Sequence, residues 1–321
     1  MNRREFVTAA LGAASLPFSV RAQQTGKTYR VGWLDYSSAA ENLGIFRQAM
    51  GARGWIDGKT FRIEYRGGEG NLERLSAVAA QLARLPADII VAPGTPEVRA
   101  ATKATGSIPI VMTGINDPVE RGLVASLARP GGNVTGLASA SRELSAKLLS
   151  LLRELFPRAS KAAVLWDSTD PEHHLLLGYF QATARALGLS LNAVQVQRHT
   201  EVEPAFAAIR KQGSPMLIVP SSGMLIPRWI ADLALQHGLP LASTSPGYAY
   251  EGGLMTYADD WHAVFDRAAT FVDRILKGAV PADLPVELPT KFKLIVNAKT
   301  AQTLGITIPL SIMVRADHVI E

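Results

Sequence analysis

Short β-rich runs alternate with helical patterns along this chain of 321 residues, and the alternation occurs twice in the same order. The first half contains PADIIVAPGTPE (residues 86–97) and SIPIVMTGINDP (107–118), which correspond to SPMLIVPSSGML (214–225) and GLPLASTSPGYA (238–249) in the second half. Buried runs followed by helices are typical of a parallel sheet covered by helices on both faces. We therefore predict an α/β protein with two lobes of the same construction, although any α/β chain can show some correspondence between its halves.

Helical spacing gives the clearest individual elements. Apolar residues at Leu72, Leu75, Ala79 and Leu82 predict a helix, and Asn71 is its expected N-cap. Further helices are predicted at 97–105, directly after Pro118, and at 260–276.

The chain completes one lobe and then the other, and still has residues left to cross between them. We place the first lobe at 29–138 plus 257–283 and the second at 139–256 plus 284–321. Several connecting strands of this kind form a hinge.

The first 22 residues predict a secretory signal peptide. Arg3 and Arg4 precede an apolar stretch from Phe6 to Phe18, and the small residues at Val20 and Ala22 fit cleavage after Ala22. The paired arginines are compatible with either the general (Sec) or the twin-arginine export route. We expect a periplasmic protein.

Composition excludes several classes of protein. The chain has no cysteine, so disulfides, thiol nucleophiles and thiolate metal sites are absent. Its net charge of +5 falls to +3 without the leader's three arginines and one glutamate, and no basic run suggests nucleic acid. No apolar stretch after Ala22 is long enough to span a membrane. We expect a monomer without metal or cofactor.

Ligands of open parallel sheets bind beyond the carboxyl ends of the strands, where loops and helix N-termini present polar groups. In the first lobe, the candidate ligand contacts are Tyr36, Ser37, Gly94, Thr95, Asn116 and Asp117. In the second lobe, they are Asp167, Ser221, Ser222, Thr244 and Tyr248.

These residue types suit a small zwitterion. Gly94 allows the backbone to approach a ligand, and Thr95 begins a helix whose N–H groups attract a carboxylate. Asp117 can accept hydrogen bonds from an ammonium group, and Tyr248 offers aromatic surface. The alternative is structural: Thr95, Asn116 and Asp117 cap helices, and the tyrosine is part of the packing.

Catalytic motifs are absent from the sequence, which contains no G-x-S-x-G, Walker or H-E-x-x-H pattern. His173 and His174 are adjacent and therefore point in different directions, which makes them poor joint metal ligands. We predict that both are surface residues.

Several longer phrases resemble a known family. They are ARGWIDG (52–58), LARPGGNVTGL (127–137), EGGLMTYADD (251–260), RILKGAVPADLPVELPTKFKLIVNAKTAQTLGITIP (274–309) and the closing RADHVIE (315–321). Together they resemble the ABC transporter substrate-binding proteins that include tryptophan-binding lipoproteins, over nearly the whole chain after the leader.

The resemblance implies a type I periplasmic-binding fold, with two Rossmann-like lobes and three crossovers, that closes on its ligand. It also implies a membrane permease and an ATPase as partners, and aromatic or branched amino acids as ligands. Thr95 would then bind the carboxylate and Asp117 the amine, and Ser221 and Thr244 would complete the site from the second lobe.

Two departures from the family pattern affect these expectations. The missing lipobox cysteine indicates a free protein in a Gram-negative periplasm. Ser221 and Ser222 stand where many relatives place an acidic residue, which leaves the ligand open.

Two other classes remain as alternatives. One is an exported α/β enzyme that uses Asp117 or Asp167 as a general base on a small metabolite. The other is a sugar-responsive repressor core, against which the leader and the lack of a helix-turn-helix argue.

Overall fold

The computed structural model describes residues 27–36, 40–220, 222 and 224–321. The predicted leader, Ser37 and Ser221 lie outside these residues. Lobe 1 is built from β1 (Tyr29–Asp35), α1 (Ala40–Ala52), β2 (Phe61–Gly67), α2 (Leu72–Arg84), β3 (Ile89–Pro93), α3 (Thr95–Ala104), β4 (Ile110–Ile115) and β5 (Val134–Ala138).

Lobe 2 follows in the chain. Its elements are α4 (Ser141–Leu155), β6 (Lys161–Asp167), α5 (Pro171–Ala186), β7 (Ser190–Val196), α6 (His199–Lys211), β8 (Leu217–Ile218), α7 (Pro227–Gln236), β9 (Leu241–Ser243), α8 (Gly247–Tyr250) and β10 (Met255–Asp259). The chain then returns to lobe 1 with α9 (Trp261–Leu276) and a 3₁₀ turn at Pro281–Asp283. It ends in lobe 2 with β11 (Phe292–Asn297), α10 (Ala298–Thr303), α11 (Leu310–Met313) and β12 (His318–Ile320).

The strands form two sheets, with the order β2-β1-β3-β4-β5 in lobe 1 and β12-β11-β10-β9-β8-β6-β7 in lobe 2. Neighbouring strands are parallel in both sheets, except that β11 runs antiparallel to β10. The predicted α/β class, with two parallel sheets flanked by helices, is confirmed.

Burial explains why these segments form strands and helices. In β3, the residues from Ile89 to Ala92 are completely buried, because helices cover both faces of the sheet. In α2, Leu75, Ala79 and Leu82 are buried on one face. The Asn71 side chain accepts a hydrogen bond from the Arg74 N–H at 2.9 Å, which confirms the predicted N-cap.

Helix α9 belongs to lobe 1 although it follows a strand of lobe 2. The Phe265 ring lies 5.6 Å from the Trp33 ring and is fully buried in the same cluster as Val272. The Arg53 guanidinium also donates to the Asp266 carboxylate at 2.9 Å. Lobe 1 is therefore complete only after the chain has built most of lobe 2.

Three connecting segments lie side by side between the lobes: the first follows β5, the second follows β10 and the third precedes β11. The Ala138 N–H donates to the Glu287 carbonyl at 2.9 Å, and the Asp260 N–H donates to the Lys291 carbonyl at 3.0 Å. Pairing with β11 keeps β10 in the second sheet as far as Asp259. These three segments form the hinge.

The segment between β4 and β5 contains turns where the sequence predicts a helix after Pro118. Asp117 has a φ of +44° and Gly122 a φ of +68°, and such left-handed conformations do not continue an α-helix. Asp117 therefore caps no helix. The turn also brings the Arg121 Nε within 2.7 Å of the Asn116 carbonyl, to which it donates.

Candidate functional site

The carboxyl ends of strands from the two different sheets meet. Asn116 follows β4 in lobe 1, and Glu172 lies in the first turn of α5, directly after β6 in lobe 2. The Asn116 Nδ2 donates to the Glu172 Oε2 at 3.0 Å. The cleft between the lobes is therefore closed at this point.

An ion pair reinforces this contact. The Arg121 guanidinium lies 2.9 Å from both oxygens of the Glu172 carboxylate, and the two side chains are 15% and 21% exposed. Two parallel charge-assisted hydrogen bonds with little access to water are among the stronger polar contacts. We call Asn116, Arg121 and Glu172 the interlobe latch.

Asp117 also has a partner in the opposite lobe. Its carboxylate accepts a hydrogen bond from the Tyr179 hydroxyl on α5, and the Arg142 guanidinium lies 4.5 Å from the Tyr179 ring centroid. Burial and the bond to Asp117 raise the pKa of Tyr179, so this hydroxyl remains a donor. The residue predicted to bind a ligand's ammonium group thus contacts a phenol in this closed arrangement.

The start of α3 holds a carboxyl group that the sequence did not single out. The Glu97 Oε1 accepts a hydrogen bond from the Tyr36 N–H at 2.8 Å. Gly94 has a φ of +124°, and a Cβ there would lie 2.6 Å from the Glu97 Oε2. Only glycine fits at this position. Thr95, the first residue of α3, is 6% exposed, and its helix has no side-chain cap.

Burial raises the pKa of Glu97 to about 7. The nearby Asp35 charge also raises this pKa, whereas hydrogen bonds from the backbone N–H groups of Glu97 and Tyr36 lower it. The folded state therefore holds a proton that the unfolded chain releases between about pH 4.5 and 7. Stability should fall as the pH rises through this range and level off above it.

Replacing Glu97 with glutamine should remove this pH dependence. The wild type should lose stability from pH 5 to pH 8, whereas Glu97→Gln should not. The unfolding free energy of the variant minus that of the wild type should therefore increase by up to about 3 kcal/mol over this range. Urea unfolding at both pH values measures the difference. Glu73→Gln, at an exposed position in α2, is the matched control. Equal pH profiles for Glu97→Gln and the wild type would contradict the assignment.

In lobe 2, Asp167 stabilises the turn that follows β6. Its Oδ1 accepts hydrogen bonds from the Thr169 N–H at 2.9 Å and the Thr169 hydroxyl at 2.6 Å. The Asp167 N–H donates to the Nδ1 of His173, which is fully buried, so the prediction of a surface residue is wrong. Adjacent helical residues point about 100° apart. His174 is therefore exposed, as predicted, although His173 is buried.

The remaining candidates of lobe 2 lie near β8 and β9. The Ser222 Oγ accepts a hydrogen bond from the Leu225 N–H at 3.1 Å, and Thr244 is half-buried directly after β9. Tyr248 is fully buried in the core of lobe 2, and its hydroxyl donates to the Leu225 carbonyl at 2.6 Å. This is the packing role that the sequence left open for the tyrosine.

Buried polar atoms without a partner lie at the same strand ends. They include the Thr113 Oγ1 in β4, the Trp166 Nε1 in β6 and the Ser168 Oγ just after β6. Buried polar groups in proteins are nearly always hydrogen-bonded. These three groups have no hydrogen-bond partner among the described residues.

Sequence reasoning missed Glu97, Arg121, Glu172 and Tyr179. Glu97 follows Gly94 at the spacing of a helix-capping pattern, which could have identified it. The other three have no local signal, because they bind residues of the opposite lobe.

Within the described ranges, no group of three or more His, Asp or Glu side chains could hold a metal ion. None of the helices in those ranges has the length and apolar character needed to cross a bilayer.

Comparisons with known proteins agree with this architecture. The model of a family described as ABC transporter substrate binding protein matches residues 34–320. A tyrosine-binding protein of Clostridioides difficile is 27% identical over 262 residues, which are 81% of this chain and 75% of that protein.

Solved structures match over nearly the whole chain. The ABC domain of a Streptococcus pneumonia protein in complex with L-Trp has a TM-score of 0.83 and 25% identity, and covers 92% of this chain and all of its own. A conserved domain protein from Vibrio cholerae has a TM-score of 0.84 and 26% identity, and covers 91% of this chain and all of its own.

Proposed function

Because this chain belongs to the ABC transporter substrate binding protein family, we propose that it is the periplasmic solute receptor of an importer. It captures one small molecule between its lobes and presents it, in the closed form, to a membrane permease that an ATPase drives. The receptor itself is a monomer without a cofactor.

One observation carries this proposal. Two sheets, connected by three hinge segments, touch through side chains at their carboxyl ends, as the Asn116–Glu172 contact shows. Ligands of parallel sheets bind at those ends. A molecule between them contacts both lobes at once, and only such differential contact can favour the closed state over the open one.

We infer that the ligand is an amino acid with an aromatic or branched side chain, or a related carboxylate. The relatives that carry this inference are a tyrosine-binding protein and a protein in complex with L-Trp. This chain offers such a ligand both hydrogen-bond donors and acceptors. They are the Thr95 hydroxyl and N–H, the unpartnered Thr113 Oγ1 and Trp166 Nε1, and the Asp117 carboxylate.

Substitution of Thr95 and of Asp117 by alanine tests the site. Each change should weaken binding of the ligand roughly tenfold. Thr95→Ala removes a hydrogen bond to the ligand, and Asp117→Ala removes the carboxylate that accepts from Tyr179 across the closed cleft. A panel of L-amino acids is screened by thermal shift, and the hits are titrated by calorimetry. Thr102→Ala in the same helix is the control. Unchanged affinity in both variants would remove the site assignment.

The alternative of an exported enzyme is tested with the same samples. A receptor releases its ligand chemically unchanged, whereas an enzyme acting through Asp117 or Asp167 would convert it. Mass spectrometry of the bound compound before and after incubation separates the two. Recovery of a product would overturn the proposal.

A further inference from the structure

Asp259 is a buried carboxyl group at the hinge, and one of its two oxygens has no hydrogen-bond partner among the described residues. It is the last residue of β10, where the second connecting segment leaves lobe 2. The side chain is 7% exposed, and its Oδ1 has no hydrogen-bond partner. Burial raises its pKa to about 7.

The basic side chain of the paired strand β11 binds a different residue. The Lys293 ammonium lies 3.2 Å from the carboxylate of Asp260, the next residue along the chain. Asp260 also caps α9 by accepting a hydrogen bond from the His262 N–H at 3.1 Å. Of these two adjacent carboxylates, Asp260 is therefore paired with a cation, whereas Asp259 forms no ion pair with the described residues.

Asp259 lies at the end of the cleft nearest the hinge. It forms the carboxyl end of β10, which is parallel to β9, β8 and β6, so it lies at the same edge of the second sheet as their carboxyl ends. Two residues later, the Trp261 ring packs against Gly114 in β4 of lobe 1. A Cβ atom added to Gly114 would lie 3.4 Å from this ring. The segment therefore spans the gap between the ligand-binding edges of both sheets.

An unpaired carboxylate in a buried site costs several kcal/mol of stability. Without a cation the group avoids this cost by holding a proton, as its raised pKa indicates, and a bound cation favours the ionised form instead. From this geometry we propose that Asp259 is the anionic contact for the ammonium group of the bound solute, at the hinge end of the cleft.

This inference rests on the proposed function, because it requires a solute in the cleft. It differs from the sequence prediction, which gave the ammonium group to Asp117. In the closed structure, Asp117 already accepts a hydrogen bond from Tyr179, whereas Asp259 has an unpartnered oxygen. A ligand's ammonium group therefore gains more from Asp259.

The experiment compares amino acids with analogues that lack only the amine. L-Tyrosine and L-tryptophan are titrated by calorimetry, alongside 3-(4-hydroxyphenyl)propanoate and indole-3-propanoate. Asp259→Asn should weaken binding of the amino acids about 30-fold or more, while affinity for the two analogues stays within about threefold. A role in packing alone would affect amino acid and analogue equally.

Asp260→Asn is the matched control, because asparagine can still cap α9 and the substitution removes the neighbouring charge. Circular dichroism and the Tm verify that each variant folds. If the wild type binds the amino acids and Asp259→Asn binds them equally well, this inference is overturned and the proposed function stands. If the wild type binds neither amino acids nor analogues, the proposed ligand class fails, and this inference fails with it.

Discussion

Replacing Gly136 with alanine should destabilise the protein by about 4 kcal/mol or more, because two effects add. The residue has a φ of +129°, which side chains of L-amino acids rarely adopt. A Cβ there would lie 2.2 Å from the Met112 carbonyl oxygen in the adjacent strand, and backbone cannot move aside as a flexible side chain can.

The effect should also reach the hinge. The Gly136 carbonyl accepts a hydrogen bond from the Glu287 N–H at 3.0 Å, which connects β5 to the third connecting segment. Displacement of β5 therefore disturbs two of the three crossings. We expect a large decrease in Tm and in soluble yield, both measured on the purified chain.

Gly132→Ala provides the matched control. This exposed glycine lies four residues earlier, and a Cβ there would have no heavy atom within 4 Å. Its substitution should change stability by less than about 1 kcal/mol. A Gly136→Ala protein as stable as Gly132→Ala would show that β4 and β5 do not approach as closely as described.

Removing the negative charge of the interlobe latch should shift the protein toward its open form. Glu172→Gln keeps the size of the side chain but leaves the Arg121 guanidinium, 15% exposed, without a counter-ion when the lobes close. The loss of a charge-assisted pair at a partly buried site costs about 1.5–3 kcal/mol. The equilibrium constant for closure should therefore fall roughly 10- to 100-fold.

Small-angle scattering and distance measurements between labels on the two lobes report this shift directly. We expect Glu172→Gln to be more open than the wild type without ligand and to bind ligand more weakly. Arg74→Ala is the control, because its ion pair with Glu69 is 52% and 60% exposed and should contribute little. Equal closure in the variant and the wild type would show that the latch does not stabilise the closed form.

Much of the fold could be predicted from local patterns. Strands such as β3 consist of consecutive apolar residues because helices cover both faces of the sheet, and α2 shows its buried face through its spacing. The Asn71 cap was predictable for the same reason, since the acceptor and donor lie three residues apart. These features depend on neighbours along the chain.

Local reading failed where backbone conformation or distant contacts decided the outcome. The helix predicted after Pro118 is absent because Asp117 and Gly122 adopt positive φ values. His173 is buried because the turn after β6 needs its Nδ1 as an acceptor for the Asp167 N–H. Sequence spacing reveals neither requirement.

The sequence by itself determined the class of the protein: two similar α/β lobes, polar loops after the strands, and the phrases by which the family could be recognised. The reason is that apolar periodicity and turn residues act over a few positions. Only the tertiary structure decided which polar groups meet. Arg121 and Glu172 are far apart in the chain, and the Asp259 Oδ1 is buried without a hydrogen-bond partner among the described residues. Their energies depend on burial and on the relative position of the lobes, which no local pattern encodes.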